Sequence, residues 1–246
     1  MRIVVVGGGP GGLYTALLLK RRMPTVKVAL YERNRADDTF GFGVVFSDQT
    51  MGNMLAADPE TMTAVREKFS YWQDIDIHLK GEKISSTGHG FSGLGRLELL
   101  QILQTRCESL GVELHFQHEV TDLELLGEAD LIVAADGVNS AIRTKYAEHF
   151  RPEIVHNSNR FVWLGSTRQF DAFNFFFKEN EHGLWRVHAY QYAEDRSTFI
   201  VETTEETLER AGMLQAGEEE IAAFCGALFE DELAGHPLIT NRSVWR

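Results

Sequence analysis

The first 33 residues combine two short apolar runs with a cluster of glycines. Residues 2–6 form a β-branched run of the kind that is buried on both faces of a parallel sheet. Glycine-rich residues 7–12 follow, and residues 13–23 then carry apolar positions at helical spacing. A second apolar run, residues 26–31, ends at Glu32. The pattern predicts a strand, a glycine turn, a helix and a strand, which together make one βαβ unit.

The middle of the chain predicts further helices and strands, separated by glycine-rich segments. Residues 74–79 and 83–86 alternate around Lys80-Gly81-Glu82, a pattern typical of a hairpin. We expect loops at residues 40–45 and 88–95, helices at 48–57, 59–69, 96–109 and 139–150, and strands at 112–116 and 130–134.

The pattern changes after Pro152, where four aromatic-rich segments predict an antiparallel meander. These segments are residues 161–169, 172–177, 184–192 and 198–202, and helices are expected at 205–212 and 218–233. Residues 243–246 are typical of the start of a strand that has no partner. The fold class is therefore predicted to be α/β. We expect one Rossmann-like domain over residues 1–158, with the hairpin 74–86 inserted, and a second over 159–246 that is truncated at its C-terminus.

Charge and cysteine content narrow the class of protein. The chain has 36 acidic residues against 24 Lys and Arg, a net charge of −12, which excludes a protein that coats nucleic acid. No apolar stretch reaches the 18 residues or so that a membrane-spanning helix needs. Cys107 and Cys225 are the two cysteines. We expect them to be free thiols in a cytoplasmic protein, because no secretory signal precedes them.

The glycine turn has the spacing of a dinucleotide site, Gly7-x-Gly9-x-x-Gly12. The first glycine permits the tight turn, the second lets the backbone approach a pyrophosphate, and the third allows the helix to pack closely on the strand. The helix N-terminus adds partial positive charge. Glu32 stands at the end of the second strand, where a carboxylate can accept hydrogen bonds from the ribose hydroxyls of an adenosine.

The first 33 residues do not distinguish NAD from FAD, although Glu32 disfavours the 2′-phosphate of NADP(H) in this site. Residues 131–140 read Leu-Ile-Val-Ala-Ala-Asp-Gly-Val-Asn-Ser, an apolar strand followed by Asp-Gly. With residues 32–41, 44–50 and 199–203, this segment resembles the group A (p-hydroxybenzoate hydroxylase-like) FAD monooxygenases. The similarity is strongest to the N-terminal flavin domains of the salicylyl-CoA 5-hydroxylases and 2-aminobenzoyl-CoA monooxygenases. The resemblance implies a GR2-type FAD-binding domain and a β-meander substrate region.

The resemblance implies roles for residues around the glycine turn. Gly7, Gly9 and Gly12 are expected to hold the FAD pyrophosphate, Glu32 the ribose, and Arg33 to lie along the adenine. Pro10, which follows the second glycine, and Leu13, which follows the third, are also expected among the cofactor-binding residues.

Further roles follow from later segments of the same resemblance. Val120 is expected to close a strand whose backbone meets the adenine, and Asp136 and Gly137 to serve the pyrophosphate and NAD(P)H. Arg96 is expected to reach the FAD phosphate or ribityl chain. Gly43 and Val44 are expected beside the isoalloxazine.

Two departures from the family pattern bear on these expectations. Thr39 and Gly41 occupy positions near which hydroxylases of the p-hydroxybenzoate type carry arginines that help in NADPH use, so the choice between NADH and NADPH stays open. The family's third motif, a Gly-Asp that binds the ribityl chain, has no match and is expected beyond Arg246. We therefore expect a further C-terminal domain or missing half.

Two other patterns resemble functional sites but have the wrong spacing. His115 and His118 lie three apart in a predicted strand, which would point them to opposite faces, so no metal site is expected. Residues 90–94 break the Gly-x-Ser-x-Gly pattern of a hydrolase at its last position.

The resemblance implies that FAD is reduced by NADH or NADPH and reacts with O₂ to a C4a-hydroperoxide. That species then hydroxylates an aromatic substrate. The implied substrate is an aromatic acyl-CoA such as salicyloyl-CoA or 2-aminobenzoyl-CoA, and no acid–base residue stands out. Two alternatives stay open: an FAD-dependent dehydrogenase or oxidase, and an inactive fragment that acts only as a dinucleotide-binding module.

Overall fold

The computed structural model describes the backbone of residues 1–246 and every side chain except that of Leu125. The chain divides into two compact units, each assembled from three segments. The first unit is Met1–Asp38, Met54–Val65 and Leu97–Val155, and the second is Thr39–Asn53, Arg66–Arg96 and His156–Arg246.

Strands and helices occur along the whole length of the chain. The strands are β1 Arg2–Val6, β2 Lys27–Tyr31, β3 Gly43–Ser47, β4 Ser70–Trp72, β5 Ile75–Leu79, β6 Glu82–Ser86, β7 Phe91–Gly95, β8 Glu113–His115, β9 Leu131–Ala134, β10 Asn159–Ser166, β11 Phe173–Asn180, β12 Gly183–Ala193, β13 Arg196–Thr204 and β14 Leu238–Ile239. The helices are α1 Pro10–Arg22, α2 Asp48–Ala57, α3 Pro59–Arg66, α4 Arg96–Leu110, α5 Ala141–Lys145, α6 Ala147–Phe150, α7 Glu205–Arg210, α8 Glu218–Leu228 and α9 Glu230–Leu233.

The first unit contains a parallel sheet in the strand order β8-β2-β1-β9. In the central strand β1, Val6 lies opposite Tyr31 of β2 and opposite Ala134 of β9. Ile3 and Val4 in β1 have no exposed surface, as expected for β-branched residues that pack on both faces of a parallel sheet. Because the strands are parallel, their carboxyl ends meet at one edge, and the glycine turn begins there.

Two helices of the first unit are joined through a buried cysteine. α1 buries Leu13 and Leu17, and α4 buries Cys107, whose thiol donates a hydrogen bond to the carbonyl oxygen of Leu13 at 3.3 Å. Burial raises the pKa of Cys107 to about 12, so the thiol stays protonated at neutral pH. Both cysteines are free, as predicted.

A buried carboxylate connects α1, α3 and α4. Asp58 has no exposed surface and accepts hydrogen bonds from Arg106 at 2.8 and 3.0 Å and from the hydroxyl of Thr61 at 2.7 Å. Arg21 of α1 lies 3.3 Å from the same carboxylate. Burial alone would raise the pKa of Asp58, but these donors hold it below its usual range.

The second unit contains a seven-stranded sheet and a separate three-stranded sheet. The larger has the order β14-β10-β13-β12-β11-β5-β6, with antiparallel neighbours except for the parallel pair β11 and β5. The smaller has the order β3-β7-β4. One face of the large sheet packs against α7, α8 and α9 through apolar residues that include Val162, Trp185, Val187, Phe199, Val201, Leu208, Ile221, Cys225 and Phe229.

The division of the chain differs from the expected boundary at residue 158. The hairpin of β5 and β6 belongs to the second unit, because β5 pairs with β11 from Ile75↔Phe173 to Leu79↔Phe177. The glycine-rich segments 40–45 and 88–95, expected to be loops, contain strands β3 and β7, which pair with each other. The short strand β4, which was not predicted, pairs with β7.

Three smaller expectations also differ from the structure. The helix predicted at 139–150 is two short helices, and that predicted at 218–233 ends at Leu228 before α9 begins. The end of the chain does have a partner, because the backbone of Arg246 pairs with Phe161 in both directions, at 3.0 and 2.9 Å. No helix among the described residues has the length and apolarity needed to cross a bilayer.

Candidate functional site

The glycine turn is packed so tightly that the first and third glycines of its motif leave no room for a side chain. Gly7 has φ +111°, and a Cβ there would collide with the carbonyl of Ala135 at the end of β9. A Cβ on Gly12 would collide with the carbonyl oxygen of Gly7. The turn, the start of α1 and the end of β9 are therefore in direct contact, as the predicted packing roles of the first and third glycines require.

Gly9 differs from the other two because a Cβ there would meet no atom within 4 Å. It is the N-cap of α1, with Pro10 at the first helical position, and no side chain caps this end of the helix. The N-terminus of the 13-residue helix thus opens onto free space beside a residue without a side chain. Such an end attracts an anion through its backbone amides and the helix dipole.

The carboxylate of Glu32 lies at this turn and is held in place through both of its oxygens. Oε2 accepts a hydrogen bond from the backbone N–H of Gly8 at 2.6 Å. Oε1 accepts from the backbone N–H and the side-chain amide of Asn34 at 2.8 and 2.7 Å. Because a carboxylate offers about four lone-pair positions and three donors already use it, Oε2 of Glu32 can still accept a hydrogen bond from a ligand.

The two predicted adenine neighbours lie in irregular backbone next to β2 and β8. Arg33 is exposed directly after Glu32. Val120 does not close a strand as predicted, because β8 ends at His115 and Gln117 turns the chain with φ +57°. The side chain of Val120 packs instead against the buried residues Val4, Val6, Leu126 and Ile142.

Asp136 follows β9 and directs its carboxylate to the start of α5. It accepts hydrogen bonds from the hydroxyl of Ser140 at 2.6 Å and from the backbone N–H of Ile142 at 3.2 Å. Gly137 has φ +91°, a left-handed conformation that favours glycine. Asp136 therefore fixes the turn that stands beside Gly7, whereas Leu13, also predicted to bind cofactor, is fully buried.

His115 and His118 lie closer together than a continued strand would allow. Since β8 ends at His115, the two rings are 5.9 Å apart and both contact Tyr31, at 4.6 and 6.2 Å between centroids. Their expected placement on opposite faces of a strand was therefore wrong. No set of three or more possible metal ligands is found among the described residues.

In the second unit, Gly43 is fixed by side chains from two strands of the large sheet. Its N–H donates to the hydroxyl of Thr198 at 3.0 Å, and its carbonyl oxygen accepts from the hydroxyl of Tyr190 at 2.8 Å. A Cβ on Gly43 would collide with Tyr192, so only glycine fits. The position of Val44, the next residue, is set by the same contacts.

Arg96 begins α4 and is held against the segment before β3. Its backbone N–H donates to the carbonyl oxygen of Phe42 at 2.7 Å, and its guanidinium hydrogen-bonds Thr39 and lies 4.3 Å from the centre of the Phe40 ring. Thr39 thus holds the guanidinium of Arg96 in place. Hydroxylases of the p-hydroxybenzoate type carry a different arginine near the position of Thr39, and that arginine helps in NADPH use.

Comparison with known protein families decides the identity of the fold. The model of the FAD binding domain family matches residues 1–238. The chain belongs to this family. The match confirms the predicted α/β fold class and FAD as the expected cofactor.

Curated relatives match the whole length of this FAD binding domain chain. Salicyloyl-CoA 5-hydroxylase of Streptomyces is 41% identical over 253 aligned residues, with the chain covering 49% of that protein. Protodeoxyviolaceinate monooxygenase of Chromobacterium violaceum is 31% identical, with the chain covering 67% of it. The chain thus spans about half the length of the first relative, and the predicted resemblance to group A monooxygenases is confirmed.

Solved structures show the same fold at low sequence identity. The crystal structure of 2-methyl-3-hydroxypyridine-5-carboxylic acid oxygenase superimposes with a TM-score of 0.79 at 18% identity. The match covers all of this chain and 69% of that structure.

The glycine turn of this FAD binding domain has the features that the cofactor needs. Open space at Gly9, an uncapped helix N-terminus and the anchored carboxylate of Glu32 suit a pyrophosphate followed by a ribose. The contacts of the individual residues with FAD stay predictions.

Sequence reasoning missed the residues of the second unit that carry polar chemistry. Tyr190 and Thr198 hydrogen-bond Gly43 although they are distant from it in sequence, and no local sequence pattern predicts such a contact. His188 was also overlooked, although it is a polar residue at an alternating position of an apolar strand. That position was the signal that could have identified it.

Proposed function

We propose that the protein containing this chain is an FAD- and NAD(P)H-dependent monooxygenase that hydroxylates an aromatic substrate, specifically an aromatic acyl-CoA. The observation that carries the proposal is the opening at Gly9, which lies at an uncapped helix N-terminus next to the anchored carboxylate of Glu32. The similarity to a salicyloyl-CoA 5-hydroxylase supports the reaction and the class of substrate.

The first unit binds the AMP half of FAD in this proposal. The backbone of Gly9 and the first turn of α1, which starts at Pro10, receive the pyrophosphate, and Gly7 and Gly12 give this turn its shape. Glu32 accepts a hydrogen bond from a ribose hydroxyl. Its hydrogen bonds from Gly8 and Asn34 hold the carboxylate still, so little conformational entropy is lost on binding.

Arg33 and Val120 lie next to the adenine in this proposal. The turn at Asp136 and Gly137 completes the pyrophosphate site, because Asp136 uses its side chain to fix that turn. The role of Asp136 toward FAD is therefore to position the backbone of this turn, and the buried side chain of Leu13 anchors the start of α1.

The second unit provides the environment of the flavin ring in this proposal. Gly43 and Val44 run beside the isoalloxazine, and Tyr190 and Thr198 fix that segment by hydrogen bonds to the backbone of Gly43. Arg96 supplies positive charge to the phosphate or ribityl chain.

When bound, FAD supplies the redox chemistry that protein side chains lack: it accepts electrons from NAD(P)H and passes them to O₂. In the overall reaction one atom of O₂ is inserted into a C–H bond of the ring. The other leaves as water, formed with the hydride of NAD(P)H and one proton. The residues of this chain hold the cofactor, exclude water and orient the ring.

The test is isotopic labelling of the product made by the full-length protein with NADH or NADPH and salicyloyl-CoA. The proposal predicts a hydroxylated thioester that carries one oxygen-18 atom when the reaction runs under ¹⁸O₂, and none when it runs in labelled water. A product without oxygen-18 from ¹⁸O₂ would instead identify a dehydrogenase or oxidase, and stoichiometric hydrogen peroxide would identify the oxidase.

A further inference from the structure

The large sheet of the second unit has a second face, opposite the one that packs against the helices. Along β12, Trp185, Val187 and Ala189 enter the helical core, so Arg186 and His188 point to the other side. The register places Phe175 of β11 beside His188, and Glu202 of β13 beside Arg186. This second face therefore combines aromatic rings with one histidine and one ion pair.

His188 is held between aromatic rings, and one edge of its ring stays accessible. Its centroid lies 4.8 Å from that of Phe175, at an angle of 66° between the ring planes, and 6.2 Å from that of Phe173, at 87°. Edge contacts of this kind fix the plane of the imidazole. The side chain is 30% exposed, so a ligand on this face can reach it.

Two charged groups face His188 within the second unit. Glu202 lies 3.9 Å from Nε2 of His188, and Arg186 lies 3.5 Å from the same carboxylate, while the two β11 residues that contact His188, Phe173 and Phe175, are uncharged. Burial is the largest influence and, with Arg186, outweighs Glu202, so the pKa of His188 falls below its usual value. A neutral imidazole has one nitrogen that accepts a hydrogen bond.

The same face leads directly to the segment proposed to lie beside the flavin ring. Tyr190, two residues beyond His188 on β12, donates its hydrogen bond to Gly43, and Phe173 packs against both Tyr190 and His188. An aromatic ring that contacts Phe173 and His188 would therefore lie beside Tyr190, the residue that hydrogen-bonds Gly43.

We propose that His188 selects aromatic substrates that carry a hydrogen-bond donor, a hydroxyl or amino group, next to the thioester. The unprotonated nitrogen of His188 accepts a hydrogen bond from that group, while Phe173 and Phe175 contact the ring. The charges of Glu202 and Arg186 compensate each other, and His188 is the hydrogen-bond acceptor for the substrate. The inference rests on the proposed function and narrows its substrate class.

The test compares the binding of two thioesters that differ only in the hydroxyl group. Dissociation constants of salicyloyl-CoA and benzoyl-CoA are measured by calorimetry with the full-length holoprotein, without NAD(P)H. The unaltered protein should bind salicyloyl-CoA about five- to tenfold more tightly, the effect of one hydrogen bond. H188F should lose this preference, so that the two dissociation constants become equal, and H188Q, which keeps an acceptor oxygen, should retain part of it.

His182→Gln is the matched control, because His182 lies in the turn between β11 and β12 and does not belong to this face. It should leave both dissociation constants unchanged. The unaltered protein offers a second readout that does not depend on a variant. The preference for salicyloyl-CoA should persist at pH 7 to 8 and disappear in acid, once His188 is protonated and no longer accepts.

Three results would overturn the inference. In the first, H188F discriminates between the thioesters as the unaltered protein does, while salicyloyl-CoA is still hydroxylated, and then only the role of His188 fails. In the second, the preference does not change between pH 8 and acid, which leads to the same conclusion. In the third, the unaltered protein binds neither thioester, and the proposed substrate class fails together with the inference.

Discussion

Glu32 has a larger role in the structure than its position in the sequence indicates. The sequence predicts an acidic strand end that accepts ribose hydroxyls. The structure adds that the same carboxylate accepts the N–H of Gly8, 24 residues earlier, and ties β2 to the glycine turn. Local reasoning could not predict this hydrogen bond, because it depends on how strand β2 lies beside the turn.

Replacing Glu32 with glutamine tests this dual role. The amide keeps one acceptor oxygen but turns an N–H₂ group toward the donors of Gly8 or Asn34, and it loses the charge that strengthens the hydrogen bonds. We expect FAD to bind on the order of tenfold or more weakly, as measured by quenching of flavin fluorescence.

Glu128→Gln is the control for this substitution, since Glu128 is exposed in the same unit. It should leave the affinity for FAD unchanged. Equal affinities for the two variants would show that Glu32 does not take part in binding the cofactor.

At the scale of single elements, sequence reasoning was most reliable where apolar residues alternate or recur at helical spacing. It predicted β1, α1, α4 and the four strands β10 to β13 in their places, because burial on one face dictates those patterns. It failed for β3 and β7, because their glycines look like loop residues. In the structure these glycines allow close packing: a Cβ on Gly93 would collide with the carbonyl oxygen of Gln191.

Gly93→Ala is predicted to destabilise the second unit for this reason. The added methyl group must displace the backbone of β12 or the ring of Trp72, and overpacking of this kind costs about 1–3 kcal/mol. The measurement is urea-induced unfolding followed by circular dichroism.

Gly226→Ala is the matched control in α8, where a Cβ meets nothing within 4 Å. A helical position of this kind should gain up to about 1 kcal/mol from the same substitution. Should the two variants unfold at the same urea concentration, the packing role assigned to Gly93 would be wrong.

At the scale of the whole molecule, the sequence predicted two regions with different patterns of secondary structure. It did not predict how the chain alternates between them. Each unit contains three separate segments of the chain. The hairpin of β5 and β6 belongs with the second unit through parallel pairing to β11, a contact between distant segments that hydrophobic periodicity does not encode. The family resemblance supplied what periodicity could not, namely the cofactor and the expected reaction.

The central claim is that the open N-terminus of α1 at Gly9 receives the pyrophosphate of FAD. The most direct measurement is the affinity for FAD after a side chain is placed in that opening. Gly9 has φ −69° and ψ 172°, which valine can adopt, and its Cβ would meet no atom within 4 Å. Gly217, the N-cap of α8, has φ −79° and ψ 169° with equally open space, and serves as the control.

We predict that Gly9→Val and Gly217→Val lower the melting temperature of the FAD-free full-length protein to a similar small extent, because both replace an N-cap glycine with valine. Gly9→Val alone should weaken FAD binding at least about tenfold, or ~1.4 kcal/mol, because its side chain occupies the place of the phosphates. FAD affinity in Gly9→Val equal to that of the unaltered protein would contradict the account.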